Sequence, residues 1–142
     1  MSRLRLALDL EGTSRGRQVR DIVESLGRLH WVRGALVVSP DGFVIAAEVP
    51  PAVAVEPLAA LAATLGRDLE VGASRLGHGA FQTAVFSADD GTVFLAASRI
   101  GFVVALAEPQ ANLQSVRSAL SEAVTLIEAA WAPSEPAPAA SI

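Results

Sequence analysis

Two histidines, His30 and His78, supply all the imidazole in the chain. Neither has a second histidine or a carboxylate at the spacing of a metal-binding helix such as His-Glu-x-x-His. His30 follows Val23 and Leu26 on an apolar stripe, and His78 sits between Gly77 and Gly79, so both read as structural. Asp89 and Asp90 are adjacent carboxylates. Acid–base pairs usually flank a cleft from separate elements. Followed by Gly91, these two read as a turn, and Asp41 reads the same way. Gly77-His78-Gly79 follows a helix and precedes a strand, the reverse of a dinucleotide-binding turn. No nucleophile elbow and no phosphate-binding loop occurs. Cysteine, tyrosine and lysine are absent, which removes thiolate and Schiff-base chemistry. The expectation is a chain without catalytic residues, bound metal or cofactor.

The 142 residues are 51% hydrophobic and 18% charged. That composition excludes an intrinsically disordered chain and fits one domain. A net charge of −4 leaves no basic excess for phosphate backbones, so no nucleic-acid partner is expected. The longest stretch without a charged residue, Leu76 to Ala88, is too short to span a bilayer and contains two glycines. The N-terminus lacks the apolar core of a signal peptide, and a cytoplasmic location is expected. A mean hydropathy of +0.43 is high for a soluble monomer and points to apolar surface shared with a partner.

Leu4, Leu6, Leu8 and Leu10 alternate with Arg3, Arg5, Ala7 and Asp9. Period two predicts a short strand, followed by a loop over Glu11 to Arg17 with Ser14 as a helix cap. Residues 1–17 are therefore expected to be an extension with an extra strand. From Gln18, the residues Val19, Ile22, Val23, Leu26 and Leu29 recur at helical spacing, and Gly34 closes that segment.

Ala35 to Ser39 and Phe43 to Ala47 flank Pro40-Asp41-Gly42, a strong hairpin signal. A helix is predicted from about Glu56 to Leu76. Leu58, Leu61, Leu65, Leu69 and Leu76 form one stripe, and Ala59, Ala62, Ala63, Gly66 and Ala73 lie beside it. Ala80 to Ser87 and Thr92 to Ser98 form a second hairpin around Asp89-Asp90-Gly91. Phe102 to Ala107 is apolar on both faces, as a central strand should be. Asn112 caps a last helix to Trp131. The domain is bounded at 18–131, and the Pro/Ala-rich residues 132–142 are expected to be disordered. The fold class is α+β: a five-stranded antiparallel sheet with helices on both faces. Phe43, Phe81, Phe86, Phe94 and Phe102 fall on strands and read as core.

Two features need a partner to explain them. Glycine costs about 1 kcal/mol in a helix relative to alanine, so Gly66 beside alanines predicts close approach of a second helix. An edge strand carrying Phe81, Val85 and Phe86 would aggregate if left open. Pairing of two copies across a two-fold axis accounts for both. In that arrangement, Gly66→Leu should break the helix pair.

Val32 to Ala46, the helix Pro57 to Leu76 and the segment Val103 to Leu113 together resemble the Roadblock/dynein light-chain superfamily, in its bacterial MglB-like branch. The resemblance covers about Val19 to Glu128. It implies a profilin-like sandwich, with one helix on one sheet face and two on the other. It also implies a non-enzymatic homodimer joined through the third strand and second helix. By position, the implied interface is Leu58, Leu61, Ala62, Leu65, Gly66 and Leu69 with Phe81, Thr83 and Val85. The family implies a regulator or scaffold of a small Ras-like GTPase, some members being GTPase-activating partners. Arg67 and Arg75 are the arginines that would meet such a partner. The alternating leucines near the N-terminus depart from the family pattern and would extend the sheet edge or exchange between subunits. A small-molecule sensor domain and an assembly subunit without GTPase contact are the alternative readings.

Overall fold

Pro40-Asp41-Gly42 turns the chain as its composition demands. Gly42 takes φ +94°, its N–H donates to the Ser39 carbonyl at 2.9 Å, and the Phe43 N–H donates to Ser39 Oγ at 3.1 Å. In the computed structural model, which describes residues 3–131, this turn joins strand β1 (Val32–Val38) to β2 (Val44–Glu48). Helix α1 (Arg3–Gly27) precedes them. Helix α2 (Val55–Arg75), strands β3 (Thr83–Ala88), β4 (Gly91–Ser98) and β5 (Gly101–Ala107), and helix α3 (Leu113–Trp131) follow.

The strand order is β2-β1-β5-β4-β3, with every neighbouring pair antiparallel. The last strand in sequence is the central one in space. It is buried almost throughout, as its two-sided apolar pattern requires. Its alternate side chains divide between two cores. Val103, Ala105 and Ala107 meet Val19, Val23 and Leu26 of α1 and Val116, Leu120 and Ile127 of α3. Phe102 and Val104 meet Ala59, Ala62 and Ala63 of α2. This is the expected sandwich, with α2 on one face and α1 and α3 on the other.

The N-terminal expectation fails. Leu4 to Leu10 is helical, and α1 runs unbroken through Glu11 to Arg17, so no strand or loop lies there and Ser14 is not a helix cap. Leucine, arginine and alanine are among the best helix formers, and Arg3 to Gly12 contains no β-branched residue. The alternation also contains two i,i+4 leucine pairs, Leu4/Leu8 and Leu6/Leu10, so it does not oppose a helix. At its other end α1 stops at Gly27. Leu29 therefore lies in the turn that follows, and Gly34 lies inside β1. The expectation for 132–142 lies outside the described residues.

The other two helices end as their sequences specify. The Asn112 carboxamide oxygen accepts the Ser115 N–H at 2.9 Å and caps α3. At the end of α2, Gly77 takes φ +73° and its N–H donates to the Ser74 carbonyl, while the His78 N–H reaches the Ala73 carbonyl. This is a Schellman cap, which accounts for Gly77-His78-Gly79 without any phosphate. Asp89 and Asp90 are the exposed turn between β3 and β4. Between α1 and α3, the Arg15 guanidinium lies 6.0 Å from the Trp131 ring centroid.

Candidate interaction surface

Strand β3 lies at the edge of the sheet beyond β4, with its outer side unpaired. Its alternation decides which side chains meet α2. Ala84 joins the α2 core, whereas Val85 packs half-buried toward the α1/α3 side. Phe86 is in phase with Ala84 and returns to the α2 side, where it is 42% exposed.

Helix α2 crosses that side of the sheet with two different stripes. Ala59, Ala62, Ala63 and Gly66 face inward and are buried. A Cβ built on Gly66 would stand 2.4 Å from Cζ of Phe102, far inside contact distance. Absence of a side chain at 66 therefore lets α2 settle onto the sheet. The small residues are thus buried in this chain's own core.

Leu58, Leu65 and Leu69 flank that inward stripe half-buried, and Leu61 is 51% exposed. Leu58, Leu61 and Leu65 meet Phe86 and Val93 in a shallow apolar cleft between α2 and the β3 side of the sheet. The cleft and the unpaired edge are contiguous. A partner that covers both in one step brings its own strand and its own apolar helix face.

The expected interface residues divide accordingly. Leu58, Leu61, Leu65 and Leu69 border the surface, and Thr83 is exposed at the edge. Ala62, Gly66 and Phe81 are buried within the chain. Phe86 belongs with the surface and was left out of the set implied by resemblance. Its signal was the two-residue phase it shares with Ala84. Of the five phenylalanines expected in the core, Phe81, Phe94 and Phe102 are buried there, whereas Phe43 is 72% exposed on the β1–β2 turn and Phe86 is half exposed at the cleft.

The two arginines differ in their duties. The Arg67 guanidinium donates to the Pro40 carbonyl and ties α2 to the β1–β2 turn. Arg75 stands exposed in the last turn of α2, where its charge complements the helix dipole. Among the described residues, no three histidine or acidic side chains converge as metal ligands would. No helix among them is long and apolar enough to cross a membrane.

Comparison with known proteins agrees with this architecture. The chain is 26% identical over 108 residues to the uncharacterized protein MJ0310 of Methanocaldococcus jannaschii, covering 76% of this chain and 95% of that one. Its fold is similar to that of Myxococcus xanthus MglB, with a TM-score of 0.75 at 13% identity over 84% of this chain and 95% of MglB. An MglB solved in a tetrameric arrangement gives a TM-score of 0.72 at 21% identity, covering 82% and 93% of the two chains. The Roadblock/LC7 domain family matches residues 18–108. That span takes in the C-terminal part of α1 and the entire sheet, including both sides of the cleft, and the chain belongs to the Roadblock/LC7 domain family.

Proposed function

We propose that this chain is a non-enzymatic homodimer that regulates or scaffolds a small Ras-like GTPase in the cytoplasm. One observation carries the self-association: the unpaired β3 edge and the apolar cleft of Leu58, Leu61, Leu65 and Phe86 are contiguous. A second copy related by a two-fold axis offers the same edge and the same leucines, so each copy covers the other. Two five-stranded sheets then become one of ten strands. Edge pairing removes the aggregation hazard, and the apolar helix stripe leaves water in the same step.

Support for the GTPase partner comes from membership in the Roadblock/LC7 family and likeness to MglB proteins. The chain acts by affinity. Preferential binding of one nucleotide state shifts the switch equilibrium by the ratio of the two affinities. Arg75, exposed on α2, is the cation assigned to that contact. Arg67 contributes indirectly, through the turn it holds.

The test is a pull-down with the purified chain from native cell extract to which GDP or a non-hydrolysable GTP analogue has been added. Recovery of a Ras-like GTPase in one nucleotide state supports regulation. Recovery in neither state defeats the GTPase assignment and leaves the dimer to be judged by sedimentation.

A further inference from the structure

The α1/α3 face carries a second apolar groove, on the opposite side of the sheet from the α2 cleft. It has a volume of about 290 Å³ and is open along its length. Ile22 and Leu26 of α1 and Leu126 of α3 form its apolar lining, and Leu126 is 48% exposed. A contiguous depression continues past Ile22 and Leu126 toward Ala130. From Ala119 to Ala130 the groove follows α3 for about 16 Å, at 1.5 Å per residue. That is the length of three helical turns.

Charge on the walls is of one sign. Asp21 stands on the α1 wall and Glu122 on the α3 wall, and among the described residues no arginine lines the groove. Among the described residues, neither acid takes part in an ion pair. A second copy of this chain is a poor occupant, because it would bring the same acids against the same acids. A helix with an apolar stripe and basic flanks fits instead. Its stripe would lie on Ile22, Leu26 and Leu126, and its cations would meet Asp21 and Glu122.

We infer that the α1/α3 groove is a docking site for a basic amphipathic helix of a partner protein, separate from the α2/β3 self-association surface. Each copy keeps its own groove, so a dimer through α2 and β3 presents two such sites.

The experiment measures fluorescence anisotropy of labelled peptides on the full chain. The probe is a 14-residue peptide of leucine and lysine with leucines at helical spacing; the control replaces every lysine with glutamate. The lysine peptide is expected to bind at least tenfold more tightly than the control. Asp21→Arg with Glu122→Arg, both at exposed positions, should reverse that preference, and Leu126→Asp should weaken both peptides. Leu61→Asp with Phe86→Asp on the other face should leave binding unchanged. Circular dichroism checks that each variant is folded. The inference is overturned by no saturable binding of the lysine peptide, by a preference that survives the charge reversal, or by loss of binding in the Leu61/Phe86 variant.

Discussion

The Phe102 ring lies directly beneath Gly66, so that the central strand and the covering helix meet where one of them has no side chain. Phe102 is only 1% exposed. A close-packed interior cannot absorb several added carbons at this point without moving α2.

Gly66→Leu is therefore expected to destabilise each copy by about 3 kcal/mol, because overpacking forces strained rotamers or backbone shifts. Urea denaturation at a fixed low protein concentration checks this. Phe102→Leu combined with Gly66→Leu should cost less than the two changes summed, since the two residues share one space. A variant of normal stability that merely dissociates would show that Gly66 serves a second copy after all.

Leu61→Asp with Phe86→Asp should convert a dimer to a monomer that remains folded, with its thermal midpoint lowered only by the loss of the dimer's mass-action stabilisation. Both side chains are about half exposed in the single chain, so little internal packing is lost. Sedimentation equilibrium reads the outcome. A wild-type monomer at micromolar concentration would end the dimer proposal.

Arg67→Ala should cost about 1 kcal/mol, the net worth of one hydrogen bond to a charged donor at an exposed site. Its more telling effect is local. Amide exchange at Asp41, Gly42 and Phe43 should accelerate, because the turn loses its tie to α2. Unchanged exchange there would show that Pro40-Asp41-Gly42 holds its shape alone.

Asn112→Ala should cost about 1 kcal/mol by leaving the Ser115 N–H without its cap, and Asn112→Asp should retain most of the stability. Chemical denaturation of the two variants side by side separates capping from any other role of the position. Equal losses would argue against the cap.

Arg75→Glu should weaken recovery of a Ras-like GTPase in the pull-down while costing under about 1 kcal/mol of stability through the helix dipole, since Arg75 is exposed at the helix end. Equal recovery by the variant would remove Arg75 from the partner surface.

Much of the fold could be read from local chemistry. Gly42 and Asn112 announced a turn and a cap that depend on neighbours within four residues. Phe102 to Ala107 announced a central strand because both of its faces are apolar. Two features could not be read that way. The leucine alternation at 4–10 fits a strand period and an i,i+4 helical spacing equally, so propensity decided it. On α2, the leucine and alanine stripes adjoin, and a helical wheel does not tell which one faces inward. The answer lay some 36 residues away, in the size of Phe102. The surface was legible in part for the same reason: the leucines and the edge strand came from local patterns, whereas Phe86 needed the position of α2 to set the phase of β3.

The position of β5 also constrains how the chain is made. Both hairpins are complete by Ser98, yet neither touches the other in the sheet until Gly101 to Ala107 pairs with β1 on one side and β4 on the other. During synthesis, the first hairpin must wait for the last strand to leave the ribosome before it gains its inner neighbour. Pairings so distant in sequence close slowly. The nascent protein thus carries two sets of open strand edges until β5 emerges, and a pause just before residue 101 would hold the chain where it is most exposed to aggregation or to capture by chaperones.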